Sequence, residues 1–266
     1  MYAGAYHAAR LRQQLQSKQV SLADLHVAES LDSTNADALL RVQAVSPDRF
    51  VVTLADTQTA GRGRRGKRWE SPPGGSIYLS IGWRSNLPLD YEPGALPLAI
   101  GTAVADALAS QTGLKLALKW PNDIYLDAGK LGGILLESRV NARTMSLVVG
   151  VGINLVRDAS ITGTVRQAVR FLDDHAPGQD RQALVVAIIA ECIQAIGRFR
   201  RDGLAGFHPA WEKYDLLNNS EVRVHAATDP FNGIARGISE SGELRVETAD
   251  GLRLCHAGEV SVRVAE

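Results

Sequence analysis

A short run of glycines and basic residues is the stretch of this sequence best suited to bind an anion. Gly61, Gly63 and Gly66 alternate with the basic residues Arg62, Arg64, Arg65, Lys67 and Arg68. Glycines let backbone N–H groups come close to a ligand, and guanidinium groups bind phosphate or carboxylate through paired hydrogen bonds. The sequence therefore predicts a phosphate or carboxylate site at this loop.

The same stretch satisfies the glycine pattern of a dinucleotide-binding turn and most of the P-loop pattern, and both interpretations fail on context. A dinucleotide-binding turn must open a helix, but here the chain continues to Pro72 and Pro73. A P-loop needs Ser or Thr after its lysine to hold magnesium, and Arg68 stands there. On composition alone, a solvated basic turn or an RNA-contacting loop stays open as the alternative.

Composition and charge limit the classes of protein to which the chain can belong. Its 266 residues suffice for one large domain, or for a large domain with a small companion. The 29 Lys and Arg residues balance the 29 Asp and Glu residues, so any polyanion site must be local. The two cysteines, Cys192 and Cys255, lack metal-type spacing, which is typical of a reducing compartment. We find no leader and no membrane-length apolar stretch, and we expect a cytoplasmic protein without membrane partners.

Hydrophobic periodicity predicts an α+β fold that places the arginine-glycine loop between two strands. Residues 50–55 are apolar and β-branched, and Ile77, Leu79, Ile81 and Trp83 alternate as on a strand. Further strands are predicted at 116–120, 133–136 and 147–153, and helices at 11–16, 97–111 and 182–199. The first 31 residues are expected to adorn the main domain, because so few residues seldom fold alone.

After residue 217 the sequence pattern changes to short strands separated by turns. Five short strands are predicted, at 222–225, 234–238, 244–248, 253–256 and 260–264. Turn signals separate them, at Asn232-Gly233, Ser241-Gly242 and Asp250-Gly251. Five strands in so short a segment predict a small β-barrel. We therefore predict two domains, residues 1–217 and 218–266.

Four segments, in order along the chain, resemble the biotin protein ligases. They are Asp32-Ser33-Thr34-Asn35, the run from Gln58 to Gly66, Lys119-Trp120-Pro121-Asn122-Asp123 with Lys130-Leu131-Gly132-Gly133, and Gly150-Val151-Gly152-Ile153-Asn154. The resemblance implies the catalytic domain of class II synthetases and biotin and lipoate ligases, a mixed sheet with flanking helices, followed by an SH3-like C-terminal barrel. Some members carry an N-terminal DNA-binding domain, and the 31 residues before Asp32 are too few for one, so no specific DNA binding is expected.

The resemblance implies an ATP-dependent ligase. The family joins biotin and ATP into biotinyl-5'-AMP, releases pyrophosphate, and passes biotin to one lysine of a biotin carboxyl carrier domain, as in acetyl-CoA carboxylase. A carboxylate and a phosphate repel each other, so the first step needs cations and N–H donors around the phosphorus. By resemblance, Lys130, Arg62 and Arg64 are the expected catalytic residues.

The resemblance also implies which residues contact each substrate. For biotin they are Ser33, Thr34, Asn35, Gln58, Arg62, Gly63, Arg64 and Lys130. For ATP and the adenylate they are Arg62, Arg65, Trp69, Lys119, Asn122, Lys130 and Asn154. Asp123 is the candidate ligand for the Mg²⁺ that accompanies ATP. Gly150 and Gly152 are expected to let the nucleotide lie against the strand.

Several structural and functional alternatives remain open at this point. Ser33 and its neighbours could simply cap a helix, Asn122 and Asp123 could bond their own backbone in a turn, and Trp69 could be a packing residue. A lipoate protein ligase of the same fold is one competing function. A non-catalytic RNA-binding module is another, and it would bind RNA with a steep dependence on salt. A homodimer is compatible with the resemblance.

Overall fold

A computed structural model describes residues 6–158, 168–225, 230–257 and 261–264. Two β-sheets organise these residues, one of seven strands and one of five. Helices cover the larger sheet, and the smaller sheet follows it in the chain. The predicted α+β class, with a mixed sheet and a small C-terminal β domain, is confirmed.

The helices of the larger part are α1 (Ala8–Ser17), α2 (Thr34–Arg41), α3 (Leu96–Thr112), α4 (Arg181–Asp202) and α5 (His208–Tyr214). Its strands are β1 (Leu22–Leu31), β2 (Phe50–Gln58), β3 (Ser76–Asn86), β4 (Leu116–Lys119), β5 (Asp123–Leu126), β6 (Gly129–Val140) and β7 (Thr144–Asn154). The strand order is β1-β2-β3-β7-β6-β5-β4. Strands β1 and β2 are parallel, and each remaining pair of neighbours is antiparallel.

The two faces of this sheet carry different layers because side chains alternate along each strand. On β2, Val52 belongs to the main hydrophobic core, whereas Val51 packs with Ala38 and Leu39 of α2 in a separate cluster. Helices α3 and α4 pack on the Val52 face. The sheet is therefore sandwiched between α2 on one side and the long helices on the other.

Two segments, Pro93–Thr112 and Arg181–Asp202, are long and apolar enough to span a membrane by length and hydropathy. The expectation that the chain lacks such a stretch was therefore wrong. In each segment 67% of the apolar window is buried within the protein. A helix that is apolar around most of its circumference is suited to a protein core, which is where both of these lie.

The predicted helices and strands of the larger part are confirmed, with ends that differ by a few residues. Strands β1 and β5 were missed. Strand β1 lies at the sheet edge and is only partly buried, so its apolar alternation is weak, and β5 has four residues directly after a turn. The first 31 residues therefore do not merely adorn the domain, because β1 is part of its sheet.

The smaller sheet contains β8 (Glu221–His225), β9 (Phe231–Ile238), β10 (Leu244–Thr248), β11 (Gly251–Cys255) and β12 (Ser261–Val264), in the order β11-β10-β9-β8-β12. The predicted turn at Asn232-Gly233 was wrong, because both residues lie inside β9. A Cβ on Gly233 would overlap the backbone of Glu247, so this glycine serves close strand packing rather than a turn. His256 follows β11, and Val260 lies outside the described residues.

The two sheets are joined by a buried contact. The indole N–H of Trp120 donates to the carbonyl oxygen of Gly242 at 3.0 Å, and both residues are buried. A Cβ on Gly242 would lie 2.8 Å from Leu98 and 3.1 Å from Ala95 of the larger part. The turn between β9 and β10 is therefore packed tightly onto α3 and its preceding turn.

Candidate active site

The parallel pair β1 and β2 brings two of the motif segments together. Parallel strands end at the same edge of a sheet, and here Leu31 is paired with Gln58. The chain leaves β1 into Ser33 and Thr34, and it leaves β2 into the arginine-glycine loop. These segments therefore meet although about 25 residues separate them in the sequence.

Strands β3, β7 and β6 form the floor of a cleft beside this edge. Every second residue on β3 and β7 faces the side of the sheet that α2 covers. These residues include Ser80, Gly150 and Gly152. Because two of these positions are glycines, side chains from other segments can approach the sheet closely there. The resulting cleft has a volume of about 1000 Å³, which is of the size that small-molecule substrates need.

Most of the predicted site residues line this one cleft. They are Ser33, Thr34, Asn35, Gln58, Arg62, Gly63, Arg64, Arg65, Trp69, Lys119, Asn122, Asp123 and Lys130. Asn154 is different, because it is buried and its amide donates to the carbonyl oxygens of Lys130 at 3.5 Å and Arg170 at 3.3 Å. In this arrangement Asn154 supports the strand that carries Lys130, and its contact with ATP stays a prediction.

A polar network occupies one end of the cleft. The Gln58 side-chain oxygen accepts from the backbone N–H of Thr34 at 2.9 Å and from the Thr34 hydroxyl at 3.1 Å. Ser80, which the sequence analysis missed, lies 2.8 Å from the Thr34 hydroxyl and 2.6 Å from the Asn35 side-chain oxygen. The alternation of Ile77, Leu79 and Ile81 was the available signal, since it turns Ser80 to the opposite face.

Ser33 does not act as a helix cap in this network. It has the extended backbone of an N-cap residue, but within the described chain its side chain makes no capping hydrogen bond. Ser33 is buried and lines the cleft instead. The geometry therefore favours ligand contact over capping for this residue.

The arginine-glycine loop is folded as a closed hairpin. The N–H of Gly63 donates to the carbonyl oxygen of Lys67 at 2.7 Å, and that of Trp69 donates to Gly61 at 3.0 Å. At the tip, Arg65 and Gly66 have positive φ angles of 57° and 70°. Only glycine adopts this conformation readily, which explains why Gly66 is the third glycine of the motif.

Two arginines of the loop reach partners that are distant in sequence. Arg62 pairs with the Glu137 carboxylate at 2.9 Å. Arg64 donates to the Asn122 side-chain oxygen at 2.9 Å and to the carbonyl oxygen of Ala257, next to the smaller sheet. Burial and then the charge of Arg65 lower the pKa of Arg64 from its ordinary value, yet a guanidinium stays protonated at neutral pH.

Lys130 lies at the centre of the cleft. Its ammonium nitrogen is 2.6 Å from the Asp123 carboxylate and 5.6 Å from the centre of the Trp69 ring. A Cβ on Gly133 would come within 3.5 Å of this nitrogen, so the glycine leaves room for the lysine. The lysine is thus held by a carboxylate and an aromatic face, with both partners in the cleft lining.

Asp123 pairs with Lys130 in this structure. Its role as a magnesium ligand stays a prediction, because Mg²⁺ is commonly bound through one or two carboxylates together with substrate phosphates. Across the described residues, no group of three His, Cys, Asp or Glu side chains could hold a metal ion without such phosphates. The alternative of a self-bonded turn fails for Asn122, whose amide donates to the carbonyl oxygen of Ile134 at 2.8 Å.

The glycines of β7 accommodate protein side chains. A Cβ on Gly152 would lie 2.7 Å from the Trp69 ring, and a Cβ on Gly150 would overlap the Asn35 amide. The expectation that a nucleotide lies directly against these glycines was therefore wrong, because Trp69 and Asn35 already occupy that space. Trp69 forms part of the cleft wall over Gly152.

Comparison with known proteins agrees with this geometry. The chain matches the Biotin/lipoate A/B protein ligase family at residues 27–154 and the Biotin protein ligase C terminal domain at residues 219–263. It is 35% identical over 240 residues to the bifunctional ligase/repressor BirA of Escherichia coli (strain K12), covering 89% of this chain and 73% of that protein. The chain belongs to the biotin protein ligase family.

Two further biotin protein ligases resemble the chain over most of its length. The biotin–[acetyl-CoA-carboxylase] ligase of Mycobacterium tuberculosis is 33% identical over 257 residues, which are 94% of this chain and 93% of that protein. A crystallised biotin protein ligase from Aquifex aeolicus, in complex with biotin and ATP, superposes with a TM-score of 0.76 at 28% identity, covering 92% and 99% of the two chains. The predicted class of enzyme, a biotin ligase, is confirmed, and the lipoate ligase and RNA-binding alternatives are not supported.

Proposed function

We propose that this biotin protein ligase activates biotin with ATP as biotinyl-5'-AMP and transfers the biotinyl group to a lysine of a biotin carboxyl carrier domain. The observation that carries the proposal is the convergence of Lys130, Arg62 and Arg64 in one cleft with a pocket of hydroxyl and amide groups. Cations and neutral polar groups in one cleft match a ligand with a carboxylate tail and a polar, uncharged ring.

The pocket around Thr34 suits the ureido ring of biotin. That ring presents one carbonyl oxygen and two N–H groups, and hydroxyl and amide side chains can pair with both kinds of atom. Ser33, Thr34 and Gln58 supply them, and Ser80 fixes the position of Thr34 through the bond described above. The Trp69 ring and the open face of the sheet offer apolar surface for the remainder of the molecule.

The cations act in the first chemical step. A carboxylate oxygen of biotin attacks the α-phosphorus of ATP, the bond to the bridging oxygen breaks, and pyrophosphate leaves. Lys130 and Arg62 neutralise the approaching anions, and Arg64 reaches the same region through the closed loop. Fixed cations stabilise the charge that develops on the phosphorus oxygens. Mg²⁺ enters with ATP as part of the substrate complex.

The second step requires positioning more than reactive side chains. The carrier lysine amine attacks the acyl carbon of the mixed anhydride, an amide bond forms, and AMP leaves with its electron pair. Mixed anhydrides react readily with amines, so orienting the carrier lysine and excluding water supply most of the catalysis. The wall formed by Trp69 and the loop hairpin serves this shielding.

Three further proposals accompany this assignment. We propose a carboxylase carrier domain as the protein substrate, a cytoplasmic location, and no specific binding to DNA. A homodimer is compatible with the fold. The domain division at residue 217 stays a prediction, supported by the change from the seven-stranded sheet to the five-stranded one.

Pyrophosphate release tests the proposal directly. The purified protein is incubated with ATP and Mg²⁺ together with biotin, lipoate or octanoate. Release with biotin alone, followed by biotin incorporation into a carrier domain, is the expected outcome. Release with lipoate would move the chain to the lipoate ligases. No release with any of the three acids, together with salt-sensitive binding to RNA, would favour the RNA-binding module.

A further inference from the structure

Glu137 joins the polar pocket to the arginine-glycine loop. One of its carboxylate oxygens, Oε2, accepts from the Asn35 amide at 2.7 Å and from the Arg62 guanidinium at 2.9 Å. Asn35 is only 4% exposed and follows the pocket residue Thr34 on α2. Glu137 itself lies on β6, seven residues beyond Lys130.

The contact continues into the pocket as an unbroken series of hydrogen bonds. From Glu137 it passes through the two polar ends of the Asn35 amide to the Ser80 hydroxyl and then to the Thr34 hydroxyl, and the backbone N–H of Thr34 continues it to the Gln58 side-chain oxygen. Each inner member, from Asn35 to Thr34, has a partner on either side, so displacing one alters the partners of the next. The pocket and Arg62 therefore share one network.

We propose that Glu137 is a positioning residue that couples occupancy of the biotin pocket to the placement of Arg62. A ligand that orders Thr34 and Asn35 fixes the carboxylate, and the carboxylate then holds Arg62 and the loop in the closed position. The inference rests on the proposed biotin pocket. Coupling between two equilibria is reciprocal. If the ligand raises the equilibrium constant for loop closure by a given factor, closing the loop raises the affinity for the ligand by the same factor.

A surface ion pair alone would not have this effect. The side chains of Arg62 and Glu137 are 42% and 28% exposed, and isolated pairs of that kind contribute little to stability. The bond from the buried Asn35 amide distinguishes Glu137, because it fixes the carboxylate against the pocket wall. The loop also contains a pair without such a bond, Arg68 with Glu70 at 3.7 Å, with exposures of 67% and 34%.

Limited trypsin digestion of the full chain measures loop closure without any turnover. The loop contains five potential cleavage sites, from Arg62 to Arg68. In the wild type, biotin alone is expected to slow cleavage in the loop. In Glu137→Gln, cleavage without ligand should be about tenfold faster, and biotin should no longer slow it, because the charged hydrogen bond to Arg62 is lost. Glu70→Gln is the matched control and should keep the wild-type response to biotin.

Titration calorimetry and steady-state kinetics complete the test. In Glu137→Gln the dissociation constant and the KM for biotin should rise about tenfold, with a smaller change in kcat. Glu137→Asp, which keeps the charge, should restore part of the biotin response. In an Arg62→Ala background, Glu137→Gln should produce no further loop opening, because the partner is already absent.

Clear results would overturn the inference. Wild-type cleavage rates with and without biotin in Glu137→Gln would do so, provided that its thermal unfolding is unchanged. An equal effect of Glu70→Gln would reduce Glu137 to an ordinary loop contact. Failure of the proposed function is recognised separately, because the wild-type protein would then neither bind biotin nor release pyrophosphate.

Discussion

Lys130 is the residue on which the proposed chemistry depends most. Its ammonium group lies in the cleft and is held by Asp123 at 2.6 Å. In Lys130→Ala the cleft loses this cation and keeps the negative charge of Asp123, so two anionic substrates meet an uncompensated carboxylate. We expect the rate of pyrophosphate release to fall at least about 100-fold, as when a fixed electrostatic partner of the transition state is removed.

The exposed Lys115 offers the control for this measurement. Lys115→Ala should retain wild-type pyrophosphate release, and both variants should unfold at the wild-type temperature. Unchanged release in a folded Lys130→Ala protein would remove Lys130 from the mechanism.

Motif chemistry predicted the contents of the cleft better than the contacts within it. The resemblance of the ordered motifs to the biotin protein ligases was enough to predict Lys130, Arg62 and Gln58 in one site, and all three line the cleft. Glu137 and Ser80 were missed because neither belongs to a motif, and both act through partners that are distant in sequence. The alternation along β3 shows which face Ser80 occupies, but the local pattern does not identify the distant residues that it and Glu137 meet.

At the scale of elements, the glycines of β7 set the shape of the cleft wall. Gly150 and Gly152 share a face because strand side chains alternate, and each admits a side chain from another segment. In Gly152→Ala the new methyl group would lie 2.7 Å from the Trp69 ring. We expect the ring to shift, with a loss of about 1 to 3 kcal/mol of stability and weaker protection of the loop from trypsin by biotin and ATP.

Tryptophan fluorescence and urea unfolding would report these changes. Gly94→Ala is a suitable control, because no atom lies within 4 Å of a Cβ built at Gly94. A Gly152→Ala protein with wild-type stability, fluorescence and loop protection would contradict the packing role assigned to this glycine.

Helix α2 carries the pocket residues, and the Asp37 carboxylate is one of the groups that fasten it to the sheet. Asp37 Oδ2 lies within hydrogen-bonding distance of His26 at 2.9 Å, Arg41 at 2.6 Å and Thr53 at 2.8 Å. Burial alone would raise the pKa of Asp37, but the bonds from Arg41, His26 and Thr53 outweigh it and lower the pKa. The folded state therefore binds the proton of Asp37 less tightly than the unfolded chain does.

The sign of the pH dependence follows from the lowered pKa. The contribution of Asp37 to stability is fully present above the unfolded carboxyl pKa of about 3.9 and is lost as the pH falls through the folded pKa. Asp37→Asn should cost about 2 kcal/mol at pH 7, and the difference from wild type should shrink towards pH 3. Urea unfolding at several pH values measures this, with Asp90→Asn at an exposed position as control. A difference independent of pH would show that the charge of Asp37 is irrelevant.

At the scale of the whole molecule, the two sheets depend on each other. Trp120 belongs to a cleft-lining motif, and its indole N–H donates to the carbonyl oxygen of Gly242 in the smaller part. Trp120→Phe keeps most of the apolar volume but leaves that buried carbonyl without its donor. We expect the free energy of unfolding to fall by about 1 to 3 kcal/mol, in addition to the effect of the lost side-chain volume. We also expect weaker ATP binding, because Arg64 contacts Ala257 near the smaller sheet.

Trp83 provides a control of matched size. Its indole nitrogen is buried without a hydrogen-bond partner in the described part of the chain, so Trp83→Phe removes similar volume and no hydrogen bond. Calorimetry of the two variants separates the effect of the lost hydrogen bond on stability from the effect of the lost volume. Equal destabilisation of Trp120→Phe and Trp83→Phe would indicate that the contact between the sheets contributes nothing specific.

Elements with a strong hydrophobic periodicity could be predicted from the sequence. Elements whose composition depends on their position in the sheet were harder to predict. Buried helices such as α3 and central strands such as β3 show clean apolar patterns, and the sequence places them within a few residues. Strand β1 was missed because an edge strand needs fewer apolar residues. The Asn232-Gly233 turn was wrong because the close approach of β10, a tertiary effect, explains that glycine.

The sheet order has a consequence for the newly made protein. The floor of the cleft pairs residues 76–86 with residues 144–154, and Val262 of the smaller sheet also lines it. Contacts so distant along the chain form late in folding, because long loops must first close. A nascent chain on the ribosome that ends before residue 144 therefore lacks strand β7 of this floor. If the proposed chemistry holds, we expect acyl-adenylate synthesis only from chains that have completed this floor.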